Sequence, residues 1–231
     1  MIQRENMIEV CLLIYQRFQR LPEILKQLKA QTIQTFKVNI WNNSGEKLDV
    51  SDFPKDRIMV INSEKNVGSQ VRFKLAKQTV GNPIIFFDDD ESLKPNFIEY
   101  HYNQYLKFGP GCILGYHIRV FKKERYWRSG RASYGQEVDY VGCARMVLDR
   151  EIFDKEPLLQ DIPEPFVEVE DLYLCYLARM KHGMKMIKID PASHTVVDGK
   201  DMYLRLLDYK ETAFKELRKL GWWLLRDKQH A

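Results

Sequence analysis

A short apolar segment, Pro83 to Phe87, runs directly into three consecutive aspartates, Asp88, Asp89 and Asp90. Its Ile and Phe residues form an unbroken apolar run, which is typical of a strand buried on both faces of a parallel sheet. Adjacent carboxylates repel one another, so the triplet is costly unless a cation or several backbone donors balance it. Hard oxygen ligands suit Mg²⁺ or Mn²⁺. We therefore expect an α/β fold with a ligand site at the carboxyl end of this strand.

A simpler interpretation of the same segment is an acidic turn that precedes the next helix. Ser92 would cap that helix, and Pro95 would stand in its first turn. The segment by itself is compatible with both interpretations, and features elsewhere in the chain are needed to decide between a ligand site and a helix cap.

Three earlier segments, 8–15, 36–41 and 56–61, are β-branched and apolar and therefore predict strands. Between the first two, residues 21–32 place leucines and an isoleucine at helical spacing, with a proline at an acceptable position in the first turn. A strand, a helix and a second strand in this order indicate a right-handed parallel crossover. The ends of these strands should therefore converge with the aspartates on one edge of the sheet.

A second helix is predicted to follow Ser69, with apolar residues such as Val71 facing inward and basic residues, Arg72 among them, facing outward. Gly68 and Ser69 at its start could place backbone donors beside a phosphate or a base. A plain N-cap at Ser69 explains the same residues equally well.

After the aspartates the sequence predicts a helix over 95–108, a strand over 111–121 and another strand over 138–153. Residues 122–136 between the strands form a basic and aromatic loop, which either closes over an anionic group or is a solvated hairpin. In the last strand, small residues around Gly142 would let a ligand approach closely.

Two acidic residues, Glu170 and Asp171, stand at the start of a helix that Gly183 ends. Acids are favoured at a helix N-terminus by its dipole, so a capping role competes with a catalytic one. His194 follows a short strand in a polar loop, where most histidines are ordinary surface residues.

The composition excludes some classes of function. The 231 residues carry a net charge of +4, which favours an anionic ligand but is too small for a nucleic-acid partner. The four cysteines are widely spaced in apolar segments without a CxxC pair, which indicates buried thiols in a reducing compartment. We find neither a signal peptide nor a transmembrane segment, and we expect a soluble, cytoplasmic protein.

We expect one main domain over residues 1–200, with a nucleotide-binding half (1–91) and an acceptor half (92–200). Residues 201–231 predict an amphipathic helical extension that breaks near Gly221. The extension would pack on the core; alternatively, Trp222 and Trp223 could contact a second copy of the chain or a membrane surface.

The order of these segments resembles the GT-A glycosyltransferases, and it is most similar to the family 2 nucleotide-sugar transferases. Small domains of this type occur in bacterial polysaccharide pathways and in large DNA viruses. The resemblance covers roughly the first two hundred residues. The motifs that carry it are VCLLIYQR, IWNNSG, NVGSQVRFKLA, FFDDDESLKPNF, VDYVGCARMVLDREIF and VEDLYLCYLARMKHGMKM.

The resemblance implies roles for individual residues. Asp88, Asp89 and Asp90 would form the DxD motif, in which Asp90 holds Mn²⁺ or Mg²⁺ against the donor diphosphate and Asp88 contacts the ribose or base. His194 would complete the metal shell. The remaining implied residues are Glu170 and Asp171 as the catalytic pair, with Asp171 as the general base, and Arg17, Asn43 and Ser69 beside the nucleotide.

The activity implied is metal-dependent, inverting transfer of one sugar from a nucleotide-diphosphate sugar to a hydroxyl of a glycan, polysaccharide or glycoprotein. The QxxRW motif of processive synthases is absent, and Asn42-Asn43 stands where an acidic base-contacting residue is common. Two alternatives remain. A nucleotidyltransferase would also join an α/β sheet to acidic metal ligands, although the glycine-rich stretch expected after the first strand is missing. A non-catalytic nucleotide- or sugar-binding module would use the aspartates only as a cap.

Overall fold

The computed structural model describes residues 7–198 and 203–230. The strands are β1 (Ile8–Ile14), β2 (Phe36–Asn42), β3 (Ile58–Asn62), β4 (Ile84–Asp88), β5 (Glu91–Leu93), β6 (Cys112–Gly115), β7 (Ile118–Phe121), β8 (Ser129–Gly130), β9 (Glu137–Val138), β10 (Tyr140–Val141), β11 (Met146–Leu148), β12 (Lys185–Lys188) and β13 (Ser193–Thr195). The α-helices are α1 (Leu21–Lys29), α2 (Val71–Gln78), α3 (Phe97–Phe108), α4 (Ile152–Lys155), α5 (Glu170–His182) and α6 (Leu207–Lys219).

Eight strands form one mixed, mainly parallel sheet in the order β3-β2-β1-β4-β11-β6-β12-β9. The first four are parallel, as are β6 and β12, whereas β11 runs antiparallel between β4 and β6. The predicted α/β class with a mainly parallel sheet is confirmed. The parallel half carries the ends of β1, β2 and β4 to a common edge.

The central strands are buried on both faces, which explains their unbroken apolar sequences. In β4, Phe86 packs into the core on one face and Phe87 into the core on the other. Helices α1 and α3 cover the face of Phe87, and α2, α5 and α6 cover the face of Phe86. The domain is therefore a three-layer α/β/α structure around two apolar cores.

Two of the predicted strands are each broken in the structure. Residues 111–121 form β6 and β7, which belong to different sheets and are separated by Tyr116 and His117. Residues 138–153 are likewise divided among short strands and α4, with a turn over 142–145 that ends at Arg145. Arg145 has φ +62°, a left-handed backbone conformation that turns the chain and that only a few per cent of residues other than glycine adopt. The predicted loop 122–136 is a hairpin in which β8 pairs with β7.

The interpretation of the aspartates as a helix cap is wrong. Ser92 lies in β5 and makes no cap, because α3 begins only at Phe97. Strand β5 pairs with β13, so that His194 lies opposite Ser92 in a short sheet instead of in an irregular loop. Just beyond, the backbone N–H of Val196 donates to the carbonyl oxygen of Asp90 over 2.7 Å.

The C-terminal segment packs into the main core. Phe214 of α6 and Trp222 are fully buried, and both contact the ring of Phe121. Gly221 ends the helical segment with φ +90°. Trp222 is therefore not available for the contact with a second chain or a membrane that the sequence also allowed. Residues 201 and 202, at the start of the predicted extension, lie outside the described residues.

Over the described parts of the chain, the helices are too short or too polar to span a bilayer.

Candidate functional site

The three aspartates lie where β1, β2 and β4 end, and they do not share one role. The carboxylate of Asp89 accepts hydrogen bonds from the backbone N–H groups of Tyr15, over 2.8 Å, and Arg17, over 3.1 Å. Its carbonyl oxygen accepts from Arg20 over 2.7 Å. Asp89 is buried and joins the end of β4 to the segment after β1. Its bonds thus fix the positions of its neighbours Asp88 and Asp90.

Arg17 lies among carboxylates at this edge. Its guanidinium makes a two-point contact with Asp198, from Nε over 2.8 Å and from Nη2 over 2.7 Å. The Nη1 atom lies 3.4 Å from Asp89 and 3.9 Å from Asp90. The sequence predicted Arg17 beside the nucleotide, and the structure places it within this acidic edge. Asp198, which the sequence analysis did not identify, lies at the end of the segment that follows β13.

Of the three aspartates, Asp90 is the one whose negative charge is least compensated by its surroundings. Burial, together with the negative charges of Asp88 and Glu91, raises its pKa to about 7 against the smaller effect of Arg17. A carboxyl group with this pKa is stabilised in its ionised form by a cation. The described residues contain no ready-made group of three acidic, histidine or cysteine metal ligands. The donor set thus fits a metal that takes one or two carboxylates here and completes its shell with phosphate oxygens.

A buried cation connects the aspartates to the start of α5. Arg72 is 6% exposed, and its Nη1 lies 3.0 Å from Asp88 while its Nε lies 3.0 Å from Glu170. The contact with Asp88 is an ion pair without the alignment of a hydrogen bond. Burial opposes the charge of Arg72, but the surrounding carboxylates more than offset it and raise its pKa. The prediction that Arg72 faces outward is wrong.

Glu170 is held inside this network. Its carboxylate pairs with Arg72 and accepts a 2.6 Å hydrogen bond from the hydroxyl of Ser69. Burial raises the pKa of Glu170 to about 7 despite the opposing effect of Arg72. Ser69 does not cap α2, since Gln70 occupies the N-cap position. Ser69 and Glu170 therefore tie the β3–α2 loop to α5.

Asp171 is the accessible member of the pair. It is partly exposed, whereas Glu170 is only 4% exposed. Its Oδ2 accepts a 2.5 Å hydrogen bond from the hydroxyl of Tyr140, and its Oδ1 accepts from the N–H of Leu172 over 2.8 Å. A Cβ atom placed on Gly142 would lie 3.1 Å from the hydroxyl of Tyr140 and 3.5 Å from Oδ2, so the absence of a side chain at Gly142 lets this strand pass close to the pair. Asp171 is thus oriented by its neighbours and remains partly exposed to solvent.

Asn43 stabilises the loop that carries Ser69. Its amide N–H donates to the carbonyl oxygen of Gly68 over 2.9 Å, and its side-chain oxygen accepts weakly from Val67. The side chain is buried and is used in these contacts. The structure therefore supports a positioning role for Asn43, and its predicted contact with the nucleotide stays a prediction.

His194 is exposed on β13, in the short sheet that begins directly after the aspartates. Beneath this sheet lies a buried ion pair, in which Arg145 Nε contacts Glu91 over 2.7 Å. Ser193 and Thr195 donate to the same carboxylate. The ion pair thus connects β5, β13 and the turn before β11. Arg145 also has a left-handed φ, and backbone strain of this kind is often found at functional sites.

The structure brings Asp88, Arg72, Glu170 and Asp171 into one charged cluster, with Asp90 and Arg17 at the adjoining edge. The roles of Arg72 and Arg145 were not predicted from the sequence, for different reasons. Helical periodicity assigned Arg72 to the solvent side, and no local signal marks the backbone conformation of Arg145. Glu91 directly follows the three aspartates, but neither a role nor its burial was predicted from the sequence.

Residues 9–162 match the family model of Glycosyl transferase family 2. The chain belongs to this family. A curated family relative is YwdF of Bacillus subtilis (strain 168), named as an uncharacterized glycosyltransferase, which is 33% identical over 95 residues. That match covers 40% of this chain and 35% of YwdF.

Solved GT-A structures agree with this assignment of the fold. S. aureus TarS 1–349 in complex with UDP-GlcNAc superposes with a TM-score of 0.60 at 17% identity, over 85% of this chain and 60% of that one. The UDP complex of the same fragment gives a TM-score of 0.59 at 16% identity, over 91% of this chain and 69% of that one. The family 2 domain described here thus spans about a third of YwdF and about 60% of the TarS fragment with UDP-GlcNAc.

Proposed function

We propose that this family 2 domain transfers a single sugar from a nucleotide-diphosphate sugar to an acceptor hydroxyl with inversion at the anomeric carbon. The observation that carries the proposal is the arrangement around Arg72, which connects Asp88 on the donor side to the Glu170-Asp171 pair on the acceptor side. The acceptor proposed is a glycan, polysaccharide or glycoprotein. The buried, free thiols favour a reducing compartment such as the cytoplasm.

On the donor side, Asp90 would hold Mn²⁺ or Mg²⁺, which would act as a Lewis acid on the departing diphosphate, and Asp88 would contact the ribose or base. The raised pKa of Asp90 supports this assignment, because a bound cation would relieve the repulsion that raises it. Asp89 and Arg20 keep the carboxylates in place through their bonds. Arg17 and His194 lie at the same edge, where they would contact the diphosphate and complete the metal shell.

On the acceptor side, Asp171 acts as the general base. The acceptor oxygen attacks the anomeric carbon, the bond from that carbon to the diphosphate oxygen breaks, and the electron pair leaves with the diphosphate. The proton of the acceptor hydroxyl passes to Asp171, whose Oδ2 is oriented by Tyr140. Glu170 acts through Arg72 and Ser69 as a positioning residue, since its carboxylate is buried and fully engaged.

UDP-GlcNAc is the first donor to test, because TarS carries it in a structure of the same fold. The assay would monitor the unfolding temperature of the protein with UDP, GDP and dTDP and with the corresponding nucleotide sugars. Each ligand would be measured once with Mn²⁺ and once with a chelator. Metal-dependent stabilisation by one nucleotide is expected. Stabilisation by none of these nucleotides under either condition would contradict the proposal.

The assignment of Asp171 is tested by Asp171→Asn. We expect this variant to keep its nucleotide-dependent stabilisation and to lose about 10²–10⁴-fold in transfer, which is the usual contribution of a general base. Glu168→Gln is the matched control, since Glu168 is an exposed acid in the turn just before α5. Unchanged turnover in Asp171→Asn would exclude Asp171 as the base.

The reaction products distinguish a glycosyltransferase from a nucleotidyltransferase and from a non-catalytic binding module. Sugar transfer releases a nucleoside diphosphate and leaves an anomeric configuration opposite to that of the donor, which NMR coupling constants report. A nucleotidyltransferase would release pyrophosphate, and a binding module would release neither product.

A further inference from the structure

The excess positive charge of the protein is concentrated in one hairpin. Residues 122–131, which we call the basic hairpin, follow β7, include β8 and contain five Lys or Arg residues and one acid. The whole chain has 36 Lys and Arg against 32 Asp and Glu. The rest of the chain therefore carries 31 of each, and the net charge of +4 belongs to these ten residues. The proposed chemistry assigns no role to this hairpin.

The cations of the basic hairpin are available to a partner. All five are exposed, namely Lys122, Lys123, Arg125, Arg128 and Arg131. None of them makes an ion pair with another residue that the structure describes. Like charges at this density repel one another, and at an exposed site only dissolved ions reduce the repulsion. An anionic partner would therefore be stabilised by neutralising them.

The single acid of the hairpin does not offset these charges, because Glu124 is already paired with arginines from the C-terminal segment. Its carboxylate lies 2.9 Å from Arg218 and also contacts Arg226. In addition, the backbone N–H of Tyr126 donates to Glu211 of α6 over 2.9 Å. The hairpin is thus fastened to α6 and to the residues after it. Its cations extend from a fixed base, so that binding requires little ordering of the backbone.

Two aromatic residues stand among the cations. Tyr126 is buried with its ring centroid 5.8 Å from that of Phe121, and Trp127 packs edge to face on Tyr126 at 4.7 Å. Trp127 remains partly exposed, and in the chain it lies between Arg125 and Arg128. Tryptophan is enriched where proteins meet the interface of a bilayer, because one part of its ring system is apolar and the other is polar.

We propose that the basic hairpin docks the protein on an anionic membrane surface. A cluster of about four to eight cations is sufficient to attract a leaflet that contains acidic lipids. A bilayer also provides the interfacial zone that suits Trp127, which a soluble polyanion such as polyphosphate does not. A surface that binds RNA usually continues along the molecule, whereas the rest of this chain has no net positive charge. The docking is peripheral and reversible, and it does not depend on the proposed sugar transfer.

Two triple variants lower the net charge equally at different places. The hairpin variant combines Lys122→Gln, Lys123→Gln and Arg125→Gln. The matched control removes three exposed lysines from the loops around β3 and combines Lys47→Gln, Lys55→Gln and Lys65→Gln. A third variant keeps the charge of the hairpin but exchanges its side chains, and it combines Lys122→Arg, Lys123→Arg and Arg125→Lys.

Binding would be measured by co-sedimentation of the full chain with vesicles of phosphatidylcholine that contain about 30% phosphatidylglycerol, and with vesicles of phosphatidylcholine alone. We expect wild type to bind only the anionic vesicles. Its binding should weaken as NaCl rises from about 0.1 M to about 0.5 M, because the Debye length shortens. The hairpin variant should lose about 100-fold in affinity, the effect of three charges at a membrane surface. The matched control and the charge-keeping variant should remain within about threefold of wild type.

The outcomes separate the membrane from other anionic partners. An equal loss in the hairpin variant and the matched control would show that overall charge, and not the hairpin, attracts the protein, and it would overturn the proposal. So would wild type that binds neutral and anionic vesicles alike or binds neither. Polyphosphate or poly(U) RNA that bound wild type while anionic vesicles did not would replace the membrane with a soluble polyanion.

The proposed function is tested separately. The unfolding midpoint should be the same in all variants, with and without nucleotide, since none of the changed residues belongs to the proposed donor site. Loss of vesicle binding at an unchanged midpoint is therefore a loss of docking and not of folding. If nucleotides stabilise the protein but vesicles do not bind it, the docking surface alone is wrong.

Discussion

At the scale of single residues, adjacent acids in this chain have opposite environments. Asp89 is buried and satisfied by backbone N–H groups, whereas the carboxylate of Asp90 accepts from no backbone N–H of the described residues and has a raised pKa. Glu170 and Asp171 divide in the same way, since Glu170 is enclosed by Arg72 and Asp171 is partly exposed to solvent. One member of each pair builds the site and the other is available for chemistry.

The raised pKa of Asp90 has a consequence for stability. Its pKa is near 4 in the unfolded chain and about 7 in the folded one, so the folded state loses stability as the pH rises from 4 to 7. Asp90→Asn removes this cost. We expect the unfolding temperature of the variant to exceed that of wild type by several degrees at pH 8 and by less at pH 5, as measured by calorimetry.

The same substitution should abolish stabilisation by nucleotide and Mn²⁺, because the metal loses a carboxylate ligand. Asp161→Asn, at an exposed acid outside the cleft, is the control for both effects. An unfolding temperature of Asp90→Asn equal to that of wild type at pH 8 would show that Asp90 is not strained in the free protein.

At the scale of elements, the C-terminal segment closes the core on the face of Phe86. Asp139, which is fully buried, accepts hydrogen bonds from Arg179, from the N–H of Phe121 and from the N–H of Leu225. Charged hydrogen bonds therefore connect α5, β7 and the residues after α6. The amphipathic pattern predicted the helix, but it did not predict which surface the helix covers.

Trp222→Ala tests this packing. Trp222 is fully buried, and its loss should cost about 3–5 kcal/mol, the range for large aromatic residues in cores. This corresponds to a fall of about 10 °C in the unfolding midpoint. Leu220→Ser, at a neighbouring exposed position, should change the midpoint by no more than about 2 °C. A similar midpoint in wild type and Trp222→Ala would show that the segment is not part of the folded core.

At the scale of the whole molecule, the two apolar cores enclose all four thiols. Cys11, Cys112, Cys143 and Cys175 are free and between 0% and 8% exposed. Burial raises the pKa of each, which lowers the fraction of reactive thiolate at pH 8. The fold therefore contains no disulfide bond between these cysteines.

We expect the native protein to react slowly with Ellman's reagent at pH 8, and the protein in guanidinium to titrate four thiols at once. Added reductant should leave the unfolding midpoint unchanged. Cys143 is the most informative of the four, because its backbone N–H lies 3.4 Å from Asp171 at the cleft floor. A native thiol that reacted as fast as in guanidinium would show that this floor opens in solution.

The sequence by itself determined the α/β class, the parallel half of the sheet and the convergence of strand ends at the aspartates. These features follow from hydrophobic periodicity, which short segments of sequence encode, and from the geometry of parallel strands. The placement of Glu170 and Asp171 at the start of a helix, and of Gly183 at its end, was predicted for the same reason.

The tertiary structure alone decided which polar groups are buried and which face the cleft. Arg72 carries the sequence pattern of a surface residue, and only the long-range approach of α2 and α5 brings it between Asp88 and Glu170. The chain reversals at His117 and Arg145 likewise depend on strands that join different sheets. Ionisation and accessibility are set by neighbours distant in sequence, so local patterns predicted the edge of the sheet where the site lies but not the roles of its residues.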